Sequence, residues 1–188
     1  MANSNTPFGL RPVGTVSGGE WTGAVQKFAV SGATAVFVGD AVTLNDDGTV
    51  SPATAGSLLL GVVTGIEFNA AVAATVQPGY LPASTTGNVF VSVGPDVIYE
   101  IQEDSIGGAM VAANVGSNGD LVAGAGSTVS GTSGHVLDSS DVIAKDASAA
   151  SAQLRVWALS PKVNNDVGTY AKWLVRINEH SLTTATGL

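Results

Sequence analysis

The sequence predicts an all-β protein, and three features of its composition support this. The chain of 188 residues contains 26 valines but only 13 leucines, and valine is a stiff, β-branched residue that favours strands. It also contains 24 glycines, roughly twice the average share, which suits many tight turns. Charged residues make up 12% of the chain, about half the average, so the Glu, Lys and Arg of a helical bundle are scarce.

We therefore expect a single β-sandwich or β-tulip-like barrel domain with an extended N-terminal arm and at most one or two short helices. A chain of 188 residues is long enough to bury a sizeable core without disulfides, and it contains no cysteine. The predicted division is an arm at 1–24 and a β-rich domain at 25–188. Within that domain, a region rich in glycine, serine and threonine near 116–134 is predicted to form loops and edge structure.

The predicted arm is set apart by its prolines. Pro7 and Pro12 fix φ and bias the preceding residues towards extended backbone. Its large apolar side chains are costly to leave in water, so we expect the arm to dock on another surface. The arm residues predicted to contact a partner are Phe8, Leu10, Arg11 and Trp21.

Alternating or continuous apolar runs bounded by turn residues predict the strands of the domain. They cover 25–30, 39–44, 49–51, 58–68, 88–93, 97–103, 152–159 and 173–179. The run at 58–68 is the most apolar and is predicted to be buried on both faces. Asp47-Gly48 predicts a tight hairpin between the second and third strands. A short helix is expected within 105–114, and irregular chain at 69–82 and 181–188.

The charge balance argues against several classes of partner. The net charge is −8 and the seven basic residues are scattered, whereas phosphate binding depends on clustered Lys and Arg. We expect no nucleic-acid partner and no membrane partner. The N-terminus carries no targeting pattern, and the longest apolar stretch, at 58–63, is too short to span a bilayer. We expect a soluble protein made in the cytoplasm.

The residues suited to catalysis are few. Ser133, His135 and Asp138 contain the groups of a catalytic triad, but triads are assembled across a fold rather than from sequence neighbours. We interpret His135 as a surface-loop residue and His180 as an exposed or interfacial one. Two histidines without cysteine do not favour a zinc site. The sequence predicts no enzyme, no cofactor, no metal and no small-molecule substrate.

Four other segments contain residue types that could support chemistry. Asn45–Gly48 and 138–141 offer oxygen ligands but lack the calcium-loop spacing, so turn chemistry and loop solvation explain them better. Glu100 and Glu103 fall on opposite faces of one predicted strand, whereas a glycosidase needs two facing carboxylates. The segment 124–127 lacks the Lys of a phosphate-binding loop and is interpreted as a flexible loop.

The last 35 residues concentrate the side chains that anchor protein interfaces. Trp157, Tyr170, Trp173 and Arg176 all lie there, and the two tryptophans have a core position as their alternative interpretation. Tyr170, Trp173 and Arg176 are predicted, with the four arm residues, to bind a partner.

Two parts of the chain resemble known virion proteins. Gly39-Asp40-Ala41-Val42, the hairpin that follows and Leu60-Gly61-Val62-Val63 resemble the G-D-x-V and L-G-V strands of tailed-bacteriophage head decoration (cement) proteins. The segments at 97–104 and 170–180 resemble virion structural proteins of podophages. The likeness covers much of 39–104 and the C-terminal end, and it is made of β patterns rather than catalytic motifs.

The resemblance implies a β-rich module on the outside of a phage capsid that cements adjacent subunits of the major capsid protein. Such modules are often homotrimers and often clamp the shell with an extended terminal arm. The implied location is the virion, on the capsid exterior. The alternative function is a receptor- or carbohydrate-binding virion module such as a head fibre or tail protein, and a cell-wall hydrolase is a third hypothesis.

Overall fold

The computed structural model of the protein describes residues 3–67, 79–144 and 152–183. It confirms the predicted all-β class, because strands dominate and the only α-helix among these residues has six residues. The sheets do not close into a barrel, so the sandwich is the predicted alternative that fits. No helix in the described part of the chain is long and apolar enough to cross a membrane.

Most of the predicted strands are present with bounds shifted by a few residues. The strands are β1 (Arg11–Thr15), β2 (Gln26–Ala29), β3 (Val36–Phe37), β4 (Ala41–Leu44), β5 (Val50–Pro52), β6 (Gly61–Glu67), β7 (Tyr80–Leu81), β8 (Asn88–Ser92), β9 (Val97–Gln102), β10 (Asn118–Gly119), β11 (Leu121–Val122), β12 (Val136–Leu137), β13 (Leu154–Leu159) and β14 (Lys172–Ile177). Of the segments expected to be irregular, 69–78 and 184–188 lie outside the described residues.

The first sheet has the strand order β1-β9-β14-β13-β10 and is antiparallel throughout. Because side chains alternate along a strand, β9 and β14 send Tyr99, Ile101, Trp173 and Val175 to one face. These four side chains are buried and form much of the larger hydrophobic cluster. The other face of the sheet carries the polar and charged residues of the same strands.

The second sheet has the order β2-β8-β6-β4-β5 and packs on both of its faces. Ala41 and Val62 join the larger cluster beneath the first sheet, whereas their neighbours Val42 and Val63 join a second cluster. The prediction that 58–68 is buried on both faces is confirmed for its middle, and 64–67 is half-buried. Two short ladders, β3-β7 and β11-β12, complete the fold.

The N-terminal segment packs along its own domain. Leu10 is only 1% exposed and belongs to the larger cluster, and β1 forms the edge of the first sheet beside β9. The backbone at Gly9 passes so close to Gly39 that a Cβ added to either glycine would lie within 2.4 Å of the other segment's backbone oxygen. The described residues of 1–24 are therefore built into the fold and do not extend away from it.

One short helix lies where the sequence was interpreted as a solvated loop. Helix α1 (Ser139–Ala144) begins after Asp138, whose Oδ1 accepts the backbone N–H groups of Ser140 at 2.9 Å and Asp141 at 3.3 Å. This is an N-cap arrangement. The helix expected within 105–114 is reduced to a single 3-10 turn, Ala112–Asn114.

The glycine-rich region near 116–134 holds β10, β11 and close backbone contacts. An added Cβ at Gly124 would lie 2.1 Å from the Gly134 carbonyl oxygen, and one at Gly126 would lie 2.4 Å from the Phe37 ring. The segment 124–127 is irregular chain, as predicted for a loop, and its glycines permit close packing.

Candidate partner-binding surfaces

An apolar groove separates the N-terminal segment from the second sheet. Its volume is about 640 Å³. One wall comes from the N-terminal segment and the other from β6 and β8; the side chains that define the groove are Phe8, Leu10, Arg11, Pro12, Trp21, Val25, Val63 and Phe90. The structure therefore brings together all four arm residues that the sequence singled out. We call this feature the arm groove.

The four predicted arm residues differ in how accessible they are. Leu10 is buried in the core, so a partner cannot reach it in this fold. The Arg11 guanidinium lies 4.8 Å from the centre of the Phe8 ring, a distance at which a cation and an aromatic face attract. Trp21 is half-buried against the core. Phe8, Arg11 and Trp21 remain as candidate contacts.

A buried carboxylate, Glu100, holds the N-terminal segment at Arg11. Glu100 is fully buried on the outer face of the first sheet, where it pairs with the Arg11 guanidinium. Its other contacts are Lys162 Nζ at 2.6 Å and the Ser160 hydroxyl at 2.6 Å. Burial alone would raise the pKa of Glu100, but hydrogen bonds from Lys162, Ser160 and Arg11 outweigh it and lower that pKa. Glu100 therefore stays ionised and links three segments of the chain.

The three predicted C-terminal contacts are not brought together. Trp173 is fully buried in the larger cluster, which is the alternative that the sequence left open for it. Tyr170 has a positive φ of 58° in the turn before β14, and its backbone N–H donates to Ser105 Oγ at 2.7 Å. Arg176 is half-buried on the outer face of β14. Of the three, only Tyr170 and Arg176 remain accessible.

The outer face of β13 and β14 is a second candidate surface. The side chains at its centre are Arg155, Trp157, Leu174 and Arg176, and Lys172 lies at the start of β14 on the same face. Trp157 is 44% exposed, because it lies two residues after Arg155 on the same face of β13, and a bulge interrupts the strand register between Val156 and Ala158. Strict alternation along 152–159 gave no signal for this bulge, so the sequence left Trp157 undecided between core and interface.

The prediction that His135 lies on the surface is wrong. It is 3% exposed, and its Nδ1 accepts the backbone N–H of Ala41 at 3.3 Å. That bond requires an unprotonated Nδ1, so Nε2 carries the proton and faces Asp40 Oδ1 at 3.6 Å. Ser133 also hydrogen-bonds Asp40. Nδ1 thus already accepts a hydrogen bond and Nε2 already carries a proton, so neither nitrogen can take a proton from Ser133 as a triad requires.

The prediction that His180 is exposed or interfacial is also wrong. It is 1% exposed, and its Nδ1 accepts the backbone N–H of Leu182 at 3.1 Å. Burial lowers the pKa of both histidines, because a charged imidazole loses its hydration inside the protein. Both are neutral structural residues near pH 7.

The acidic residues that could serve as metal ligands or catalytic carboxylates have local structural partners instead. Asp47 accepts the backbone N–H and the hydroxyl of Thr49 at 2.9 and 2.7 Å, as predicted for a hairpin turn. Glu103 lies on the opposite side of its strand from Glu100 and accepts the Met110 N–H at 2.8 Å. Within the described residues, no group of three or more His, Asp or Glu side chains is placed to hold a metal ion.

Comparison with known proteins adds no relative from which a function could be transferred. No protein-family model matches the chain, and neither a curated protein nor a solved structure is significantly similar to it.

Proposed function

We propose that the protein is a structural virion protein that binds the outside of a phage capsid and cements adjacent subunits of the major capsid protein. The observation that carries the proposal is the arm groove, an open apolar groove of about 640 Å³ beside an extended N-terminal segment. The resemblance of 39–63 and 97–104 to head decoration and virion proteins supplies the identity of the partner.

The arm groove suits a protein partner. Phe8, Trp21 and Phe90 give it aromatic walls, and aromatic side chains dominate the energy of protein interfaces. The side chain of Val25 at its rim is 38% exposed. An apolar segment of a neighbouring subunit would bury these side chains, which water now contacts. Each such contact can be modest in affinity, because a cement protein binds at many sites of one shell and gains by avidity.

The charge of the chain suits the outside of a capsid. A net charge of −8 is repelled by packaged DNA, and the phosphate-binding clusters that a lumenal protein would use are missing from the sequence. The proposed assembly on the shell is a homotrimer, which a mass measurement in solution tests directly.

Point substitutions at the groove test the capsid proposal. Truncation is a poor test, because Leu10 belongs to the core and β1 is a strand of the first sheet. In Val25→Glu, a charge replaces an exposed apolar side chain at the groove rim. The matched control is Val129→Glu, at a valine that is 98% exposed and outside the groove. Binding is measured by co-sedimentation with expanded capsids made from the major capsid protein of the same genome.

We expect Val25→Glu to weaken capsid binding by about tenfold or more, because a carboxylate must be desolvated in an apolar contact. Val129→Glu should bind as the unaltered protein does, and both variants should keep its melting temperature. Failure of the unaltered protein to bind capsids refutes the proposed function. Equal binding by the two variants refutes the role of the arm groove.

A further inference from the structure

The outer face of β13 and β14 places two arginines directly opposite each other. Arg155 and Arg176 are cross-strand partners in the antiparallel ladder. Like charges in this position destabilise a sheet unless an opposite charge lies between them. The chain has only seven basic residues in 188 and a net charge of −8, so this pair is a local concentration of positive charge on an acidic protein.

Neither arginine has a carboxylate partner among the described residues. Arg155 Nε donates to the side-chain oxygen of Asn118 at 3.0 Å. Arg176 Nε is buried and has no hydrogen-bond partner within the described part of the chain. Glu100 lies on the same face of the sheet, but Arg11 and Lys162 already neutralise it. Arg176 as a whole is only half-buried, and a carboxylate bound beside the two guanidinium groups would offset their mutual repulsion.

Apolar side chains lie beside the arginines. Trp157, at 44% the most exposed aromatic residue among those described, follows Arg155 by two positions, and Leu174 precedes Arg176 by two. Trp157 and Leu174 line a groove of about 380 Å³ together with Val13 and Ile98. Tryptophan and arginine are the residues most enriched at the energetic centres of protein interfaces.

We propose that this face, the Arg155–Arg176 surface, binds an acidic segment of a partner protein. A carboxylate of the segment lies between the two guanidinium groups, and an apolar side chain next to it packs on Trp157 and Leu174. Two cations suffice for one or two carboxylates, whereas a polyphosphate would meet the repulsion of the whole acidic chain. None of these four residues lines the arm groove, so the proposal stands independently of capsid binding.

The test uses a panel of labelled hexapeptides in which Asp or Glu alternates with Leu, Ile, Val or Phe, measured by fluorescence anisotropy at low salt. The same peptides with Asn or Gln in place of the acids are the ligand controls. The protein variants are Arg155→Gln/Arg176→Gln and, as the matched control, Lys27→Gln. Lys27 is a half-exposed cation on β2 that pairs with Glu67.

We expect members of the acidic panel to bind the full chain and the Lys27 variant alike, and the double arginine variant at least about tenfold more weakly. Binding should also fall as salt is added. The charge reversal Arg155→Glu/Arg176→Glu should lose the acidic peptides and gain the panel in which Lys replaces the acids. That gain cannot arise from misfolding.

Three results would overturn the proposal. The first is an acidic panel in which no peptide prefers the unaltered chain to the double arginine variant. The second is a double arginine variant that changes its mass in solution but binds the peptides as well as the unaltered chain does. That result would assign the surface to a second copy of this chain. The third is arginine-dependent binding of glucuronic acid with none of the peptides, which would assign it to acidic sugars.

Discussion

The N-terminal segment docks on the domain at two neighbouring points that differ in chemistry. At Gly9 and Leu10 the contact is dry: the backbone meets Gly39 and the Leu10 N–H donates to the Gly39 carbonyl at 2.8 Å. At Arg11 the contact is electrostatic, because the guanidinium meets the buried carboxylate of Glu100. The Arg11 side chain itself is 52% exposed, so this contact remains open to water on one side.

A buried carboxylate accompanies each docking point, and the pKa values of the two shift in opposite directions. Beside Gly39, burial raises the pKa of Asp40. The side chain that faces the Asp40 carboxyl group is the neutral imidazole of His135. At the other point, hydrogen bonds from Lys162, Ser160 and Arg11 overcome burial and lower the pKa of Glu100. The comparison teaches that a buried carboxylate keeps its charge when cations reach it from the solvent side. The first contact therefore depends on packing and the second on the ionised carboxylate of Glu100.

Gly39→Ala should break the dry contact and has the largest expected effect. Gly39 has a φ of +96°, and the new Cβ would lie 2.4 Å from the Phe8 carbonyl oxygen. Backbone strain and overpacking together should lower the free energy of unfolding by about 3 kcal/mol or more, measured by urea denaturation. Gly48→Ala is the matched control, because Gly48 has a φ of +79° but open space around its Cα. It should cost about 1 kcal/mol.

Equal losses in the two glycine variants would show that backbone conformation alone decides the result. The close approach of the N-terminal segment would then contribute nothing to stability, and the dry contact would lose its role in the comparison.

Glu100→Gln should break the electrostatic contact with a smaller effect. The substitution removes the charge that joins Arg11 and Lys162, and we expect a loss of about 2 kcal/mol in the free energy of unfolding at neutral pH. Glu67→Gln is the matched control. Its pair with Lys27 is half-exposed on both sides and screened by water, so the expected loss is clearly smaller than that of Glu100→Gln.

The pH dependence separates the Glu100 charge from its packing. The pKa of Glu100 is lower in the folded protein than its ordinary value of 4.5, so ionisation stabilises the fold above that value. The stabilisation disappears as pH falls through the folded-state pKa. The difference between Glu100→Gln and the unaltered protein should therefore shrink on acidification well below pH 4.5. A constant difference would mean that the charge contributes nothing.

Much of this fold could be predicted because its longer strands carry a clear period. Strand β14 alternates buried and half-buried side chains as its sequence does, strand β9 is present but buried throughout, and Asp47-Gly48 marks a hairpin that is present. β1 was missed because Pro12 and Gly14 are weak strand residues, and its partner β9 decides its conformation. Helix α1 had a sequence signal in the capping residue Asp138, which was interpreted as loop solvation.

The candidate site was harder to predict because burial and register depend on the whole fold. Phe8, Arg11 and Trp21 were identified because the large apolar side chains of the arm are unfavourable to expose to water. The structure does gather these three residues in one groove. Leu10 and Trp173 have the same apolar character but fill the core, and composition does not separate the two outcomes. The Arg155–Arg176 pair depends on the β13–β14 register, which a bulge shifts without a local sequence signal. His135 was misplaced because glycine-rich neighbours are typical of surface loops, and His180 because it follows the last predicted strand between polar residues.

His135→Asn sharpens the comparison at the dry contact through a modest pH effect. The pKa of His135 is lowered below 6.5 in the fold, so the unfolded chain binds the proton more readily and stability should fall as pH drops below that value. Each such histidine contributes up to about 1.4 kcal/mol per pH unit. An asparagine oxygen can still accept the Ala41 N–H, so this variant should lose the part of the slope between about pH 7.5 and about pH 5.5 that His135 contributes.

His180→Asn is the matched control for that slope, because His180 is equally buried and its Nδ1 also accepts a backbone N–H. It should remove a separate part of the slope, and the double variant should have the shallowest slope of the four proteins, as measured by urea denaturation at each pH. A full slope in His135→Asn would mean that Asp40 takes up the charge of a protonated His135 inside the protein. The contact beside Gly39 would then be an ion pair like the one at Glu100, and the contrast between the two docking points would disappear.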